Sequence, residues 1–357
     1  MKKKVMLVIL AAVLSLAGTV RSQAAETSFY GYTWLRYSAI DTWKYNDGSF
    51  WTSTNSFEIP RCYIRLKTKF SDMISGQVTL DINNSSAAQS YVTTTTAGTV
   101  TAQTTVADWR MYVKYAYADF AGLIPDAVIR VGMQKVYFGT IDLWEYPVIQ
   151  KEIVDLAGLL SSADQGIAID GNIPGGWGDY QVALYNGSGY AKMETNPKKA
   201  GCVSATIVPF PGIWLRGSYY GDITTTGATD TQVDKLRSSA VLGFNFFPVN
   251  GHLEYIIPFN PKTGEQGSAA ELFLQSKIPF DIAVLKNMDL VFRADYYKVN
   301  VDKKGTSANA SDAGWIIAGF NYKAAEGLNL QFNAENKVFE KTGLHTMTYT
   351  AQTVLSW

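Results

Sequence analysis

Apolar and polar residues alternate with a period of two along almost the whole chain beyond residue 26. In the run 74–83, Val78, Leu80 and Ile82 share one face while Gln77, Thr79 and Asp81 share the other. That is the signature of a strand with one apolar and one polar face. Similar runs occupy 27–40, 57–70, 108–120, 127–137, 165–173, 179–186, 198–208, 213–221, 235–247, 251–258, 270–278, 289–299, 313–323, 328–339 and 345–357. The pattern predicts sixteen strands, each long enough to cross a bilayer when tilted.

One interruption stands apart. Ile129, Val131 and Met133 alternate with Arg130, Gly132 and Gln134, and later Ile167, Ile169 and Ile173 alternate with Ala168, Asp170 and Asn172. Between these runs lie roughly 27 residues, far above the two to five of an ordinary hairpin loop, and such length points to a function. Ile149, Ile153, Leu156 and Leu160 fall at helical spacing there, which predicts a short amphipathic helix. The charges are mostly acidic: Asp142, Glu145, Glu152, Asp155 and Asp164 against Lys151. The expectation is a loop folded into a wide β-barrel, anchored to its wall by the apolar stripe and narrowing a water-filled pore.

The other connections alternate in length. Long ones (41–56, 84–107, 187–197, 222–234, 259–269 and 300–312) interleave with tight turns at 71–73, 174–178, 209–212, 248–250 and 324–327. Two depart from the rule: 279–288 is long for a turn and 340–344 short for a loop. A soluble sandwich has no reason to keep its long loops at one end, whereas outer-membrane barrels have short turns at one end and longer loops at the other. Alternation alone does not separate the two, since a soluble sheet is also apolar on one face only.

The start of the chain favours the barrel. Lys2, Lys3 and Lys4 precede an apolar run from Val5 to Ala17, followed by small residues around Ser22 to Ala24. This is the order of a secretory signal peptide, with cleavage after Ala24 or Ala25. Residues 1–24 are therefore assigned to the leader and 25–357 to a single barrel domain, with no linker or shift of composition between them. Taking the leader's four cations from the 31 in the chain leaves 27 against 31 anions, a weak acidic balance that argues against nucleic acid as a partner. Cys62 and Cys202 fall on opposite parities of distant strands, and no disulfide is expected between them.

Charge parity identifies the wet face. In Arg61-Cys62-Tyr63-Ile64-Arg65-Leu66-Lys67-Thr68-Lys69 every cation occupies an odd position. An arginine or lysine facing lipid costs about 2–4 kcal/mol near the midplane. Two cations about 7 Å apart on a wet face repel by only about 0.6 kcal/mol. The cations therefore point into the lumen. Arg110, Lys114 and Arg130 follow, with Trp109, Met111, Val113 and Tyr115 as their apolar alternates, and Arg36 and Arg216 are expected to join them. A basic ladder facing the acidic loop residues Asp142, Glu145, Glu152 and Asp155 would set a field across the pore; the plainer reading is that these cations keep the lumen wet. Tyr30, Trp34, Trp109, Trp177, Trp214, Trp315 and Trp357 are expected in girdles at the membrane interfaces. With only His252 and His345, and no nucleophile or metal-ligand spacing, the sequence supports neither an enzyme nor a metal site or cofactor.

The stretch Gly132-Met133-Gln134-Lys135-Val136-Tyr137-Phe138-Gly139, with the return Asp164-Gln165-Gly166-Ile167-Ala168-Ile169-Asp170-Gly171, resembles outer-membrane porins, most closely the phosphate-selective porin O/P family. About forty residues carry the match. The last strand, where Met347, Tyr349, Ala351 and Leu355 alternate towards Trp357, resembles the family's signal for the barrel-assembly machinery. The resemblance implies a sixteen-stranded antiparallel transmembrane barrel in the outer membrane of a Gram-negative bacterium, surrounded by lipid, trimeric, with both ends in the periplasm. It departs from phosphate-selective members in having no arginine in the acidic loop. The expected function is passive diffusion of small hydrophilic solutes and ions. The alternatives are a channel preferring phosphate, other anions or sugars, and a secreted soluble carbohydrate-binding β-protein.

Overall fold

A computed structural model describes residues 25–44, 51–85, 93–95, 98–100, 108–194, 199–225, 232–261, 264–282, 285–298, 312–340 and 343–357. The expected leader and much of the tract 84–107 lie outside the described residues. The strands are β1 (Glu26–Lys44), β2 (Trp51–Lys69), β3 (Ile74–Ser85), β4 (Asp108–Ile124), β5 (Ala127–Lys135), β6 (Ala163–Ile173), β7 (Gly178–Tyr185) and β8 (Ala200–Phe210). They continue as β9 (Ile213–Thr225), β10 (Gln232–Phe246), β11 (Val249–Asn260), β12 (Ser268–Lys277), β13 (Met288–Lys298), β14 (Ala313–Ala325), β15 (Leu328–Phe339) and β16 (Leu344–Ser356). Each pairs antiparallel with its neighbours in sequence, and β16 returns to β1, from Tyr32 opposite Ser356 to Lys44 opposite Leu344. The sheet is a closed sixteen-stranded cylinder with no free edge. A two-residue piece, Glu265–Gln266, adds to β11, and Thr93–Thr95 pairs with Gly98–Val100 as a separate hairpin.

Every alternating run of the sequence lies on one of these strands. The largest difference is at β1 and β2, which extend beyond the apolar pattern: Asp41 pairs with Ser53 and Trp43 with Trp51. There β2 reads Trp-Thr-Ser-Thr-Asn-Ser, polar on both faces, and residues 52–57 are exposed. Backbone pairing carries the ladder on after the apolar alternation has stopped.

The burial is inverted relative to a water-soluble protein. Val78, Met111, Val131, Ile167, Leu253 and Ile316 are exposed, while Asp81, Glu254, Glu271, Arg293 and Arg216 are buried. Interiors ordinarily take apolar residues and leave charges outside. An outward apolar band around a polar interior suits hydrocarbon outside and water inside.

Among the described residues the register shifts at five places, three of them near strand ends and two within the strands. Between β3 and β4, Thr79 faces Tyr115 and Leu80 faces Val113, leaving Lys114 as the extra residue. Lys114 and Tyr115 are therefore both turned inward, 3% and 8% exposed, as two adjacent residues opposite one partner allow. Tyr115 thus leaves the outward set in which alternation had placed it. A second shift lies between Trp34 and Arg36, where β1 meets Arg61 on one side and Glu58 on the other.

Residues 136–162 fold against the inner wall. Phe138, Ile141, Ile153, Val154, Leu159 and Leu160 form one buried cluster with Ala168, Ala183, Ala200, Ala269 and Ala313, and with Tyr185, Cys202, Ile256 and Trp315. The wall residues lie on the parity opposite to exposed Ile167, Leu184, Val203 and Ile316, so the segment sits inside the cylinder. Small alanines on β6, β7, β8, β12 and β14 leave the space that the segment's larger side chains fill. The expected helix is shorter than its spacing suggested: α1 is the single turn Ile153–Leu156, capped by the Glu152 carboxylate, which accepts from Val154 N. Gly158, with φ +65°, ends it, the left-handed closure that favours glycine. Ile149 and Leu160 lie outside the turn yet are each 9% exposed.

Candidate functional site

The segment is held to the wall by buried polar contacts. Arg216 on β9 grips Asp142 with both terminal nitrogens, at 2.9 and 3.1 Å, and its Nη1 also donates to Gly139 O at 3.1 Å. Glu254 on β11 accepts from Thr140 N at 3.1 Å and Thr140 Oγ1 at 2.7 Å. Gly139 has φ +59°, and an added Cβ there would run into the Glu254 carboxylate. On β12, Glu271 accepts from Ile153 N at 3.1 Å and pairs with Arg293 of β13 at 2.9 Å. Arg293 is fully buried, donates to Lys151 O at 2.6 Å and pairs with Asp295 at 2.7 Å. Further along, Asn321 of β14 donates to Pro147 O, and Asn333 of β15 accepts from Ile149 N. Burial pushes the Glu152 carboxyl well above the usual carboxylate range, and the charges of Glu254 and Glu271 add to the effect. Burial also raises Asp142, against the pull of Arg216.

On the other side of the segment lies a cavity of about 760 Å³, bounded by β1, β2, β4 and the loop. Seven tyrosines and two tryptophans line it, together with five basic and five acidic side chains, so it carries no large net charge. Arg61 sits among Trp34, Tyr63 and the loop residue Tyr146, at 5.1, 4.9 and 5.0 Å from their ring centres. Its Nη1 donates to the Tyr146 hydroxyl at 2.6 Å. A second cavity, of about 790 Å³, opens towards the tight turns at Asp126 and Asn172 and shares Arg130, Lys135, Tyr137 and Asp142 with the first.

The residues singled out by charge parity divide into groups. Arg61, Arg65, Lys114 and Arg130 line the first cavity. Lys114 donates to Ser162 Oγ and stands 3.9 Å from the Tyr190 ring centre. Arg130 is paired on both sides, to Asp119 at 2.7 Å and Asp170 at 2.9 Å. Arg216 lines the second cavity, committed to Asp142. Arg36 donates to Gln352 at 2.9 Å, Arg110 lies beside the Tyr112 hydroxyl at 3.4 Å, and Lys67 is exposed; none of these three lines either cavity. Of the loop acids, Glu145 is exposed to the first cavity and Asp155 is partly so, 3.2 Å from Lys151. Glu152 is 1% exposed.

Two features escaped the sequence reading. Tyr30, Trp34, Trp214 and Trp315, placed in the interface girdles, lie on the inward parity: Tyr30 and Trp34 line the first cavity, Trp214 the second, and Trp315 packs in the loop's cluster. The signal was present in Tyr30-Gly31-Tyr32-Thr33-Trp34, three rings on one parity. The carboxylates and arginine that hold the loop, Glu254, Glu271 and Arg293, each sit between apolar neighbours on their strands, as the basic ladder does.

Comparison with solved structures identifies the architecture. The anion-selective porin from Comamonas acidovorans aligns with a TM-score of 0.63 at 9% identity, covering 93% of this chain and all of that one. The outer membrane channel DcaP of Acinetobacter baumannii gives 0.63 at 11%, covering 95% and 99%. This chain has the porin fold. The trimer form of OmpT of Vibrio cholerae gives 0.58 at 11%, covering 94% and 100%. No family model and no curated protein matches the sequence. At such identities the porin fold is what these structures share with this chain, and its solutes must be argued from its own side chains.

Proposed function

We propose that this protein is an outer-membrane porin, a passive diffusion channel for small hydrophilic solutes and ions. The observation that carries the reading is the charged cavity left between the loop and the β1–β4 wall, inside a cylinder whose outer face is apolar. The loop is the constriction, and the two contiguous cavities are the water-filled path past it. A signal peptide and a Gram-negative outer membrane fit this reading, as does a homotrimer, the form in which one structural neighbour is described. Across the constriction, Arg61, Arg65 and Lys114 face Glu145 and Asp155, which supports a transverse field favouring small, strongly hydrated or zwitterionic solutes. Phosphate selectivity is not part of the proposal, because the loop has no arginine.

The test is reconstitution of detergent-purified protein into a planar bilayer. Discrete current steps and a heat-shifted gel mobility are expected. Protein that stays dissolved without detergent and passes no current would overturn the reading in favour of a soluble β-protein.

A further inference from the structure

The second cavity holds an aromatic ring pinned against the wall. Trp214 of β9 lies across Gly243 of β10, its direct neighbour in the register. A Cβ on that glycine would stand 1.8 Å from Trp214 Cε2 and 2.1 Å from Cζ2, so only a residue without a side chain leaves the indole its place. His252 steadies the ring from one side, at 6.4 Å between centres, and packs in turn on Phe273 at 5.4 Å. His252 and Phe273 are buried, whereas Trp214 is half-buried and lines the cavity. A ring fixed in this way meets a solute at little cost in side-chain freedom.

Hydrogen-bonding groups lie one step along the wall. Asn172, Asp179 and Thr206 stand opposite one another on β6, β7 and β8, about 5 Å from strand to strand. Thr206 pairs with Arg216, two residues from Trp214, and all of them line the same cavity. Thr206 Oγ1 donates to one Asp179 oxygen at 3.1 Å; among the described residues the other oxygen and the Asn172 amide have no partner. A solute of either charge would meet Arg130, Lys135 and Arg216 as well as Asp142, Asp170 and Asp179, which favours an uncharged one. A carboxylate only accepts, an amide donates and accepts, and hydroxyl groups answer both. The aromatic face beside them suits the C–H face of a sugar ring. The geometry points to Trp214 as the platform on which a hexopyranose stacks, with Asp179 and Asn172 holding its hydroxyls, on the turn side of the constriction. This assignment deepens the channel reading and rests on it.

The test uses the full chain in planar bilayers. Glucose and mannitol (an open-chain polyol with no ring face) are added in turn at matched viscosity, and the concentration that halves the ion current is read. Glucose is expected to act at lower concentration than mannitol. W214A should raise the half-blocking concentration of glucose about tenfold, the scale of one aromatic contact, and W214F should restore part of it. G243A keeps the ring but drives it off the wall, and should weaken glucose similarly. D179A should weaken glucose about fivefold, the scale of one hydrogen bond, and spare mannitol. Heat-shifted gel mobility shows which variants fold; W214F and D179A carry the test if W214A or G243A does not. Equal block by the two solutes, or a glucose block untouched by these variants, would overturn the assignment alone. A purely structural role for Trp214 would change both solutes by the same factor, which would overturn it as well. No current from the unmodified chain would remove the channel reading and the assignment together.

Discussion

The two sides of the barrel interior are built from opposite chemistry. On β8, β11, β12 and β14 the inward residues that meet the loop are Ala200, Ile256, Ala269 and Ala313, small or apolar, with buried charges set among them. On β1, β2 and β4 they are Tyr30, Tyr32, Arg61, Arg65 and Lys114, and a cavity remains there. The loop lies against the first side because its own Phe138, Ile153 and Val154 find partners only there. The same choice sorts the loop's acids. All four line the first cavity, but Asp142 and Glu152 are buried, the one paired with Arg216 on the wall and the other capping α1, while Glu145 and Asp155 are more open to water. Residues of one charge on one loop thus have two different consequences when changed.

The largest expected effect comes from the wall side. Arg293→Met strips Glu271 and Asp295 of their fully buried partner, a change that costs about 3–5 kcal/mol. Noisy, enlarged single-channel currents and rapid proteolysis within 136–162 are expected. Gly139→Ala should act similarly, by displacing Glu254. The next effect is on selectivity. Joint removal of Arg61, Arg65 and Lys114 as glutamines should move the reversal potential in a salt gradient towards cations, and E145Q with D155N should move it towards anions. Both shifts should fade between about 0.1 M and 1 M salt as screening shortens. D142N should loosen the loop by stripping Arg216 of its partner, and both D142N and E152Q should leave the reversal potential in place; equal shifts from all four acids would erase the distinction between the two sides.

A smaller effect is expected from pH. Because burial and its acidic neighbours raise the Glu152 carboxyl in the folded loop, seating is complete at acid pH and weakens as pH rises through that raised value. Current noise should grow towards alkaline pH, and E152Q should flatten the dependence. The smallest change belongs to the pair Lys151–Asp155, half open to water. K151A should alter loop stability by no more than about 0.5 kcal/mol, though it releases Asp155 to the cavity.

Much of the cylinder was legible because lipid and water impose alternation on each strand separately. The loop's anchoring stripe, Ile149 to Leu160, was legible for the same reason. What alternation did not reveal was where the parity resets: the extra residue at Lys114 turns Tyr115 inward through pairing with Thr79, a contact no local pattern announces. Nor did spacing show that Asp142 belongs to Arg216 or Glu152 to the neighbourhood of Glu271, since these partners are joined only when the barrel closes. The expected field was therefore drawn with four acids, two of which, Asp142 and Glu152, are buried.

The loop is tied to β9, β11, β12, β13, β14 and β15 by contacts that run from Arg216 to Asn333. A thin-walled tube resists stretching along its hydrogen bonds but ovalises easily under sideways load. Fastened across one arc of the circumference, the segment acts as an inner brace, keeping the cross-section round, and with it the spacing between the charged groups on either side of the gap.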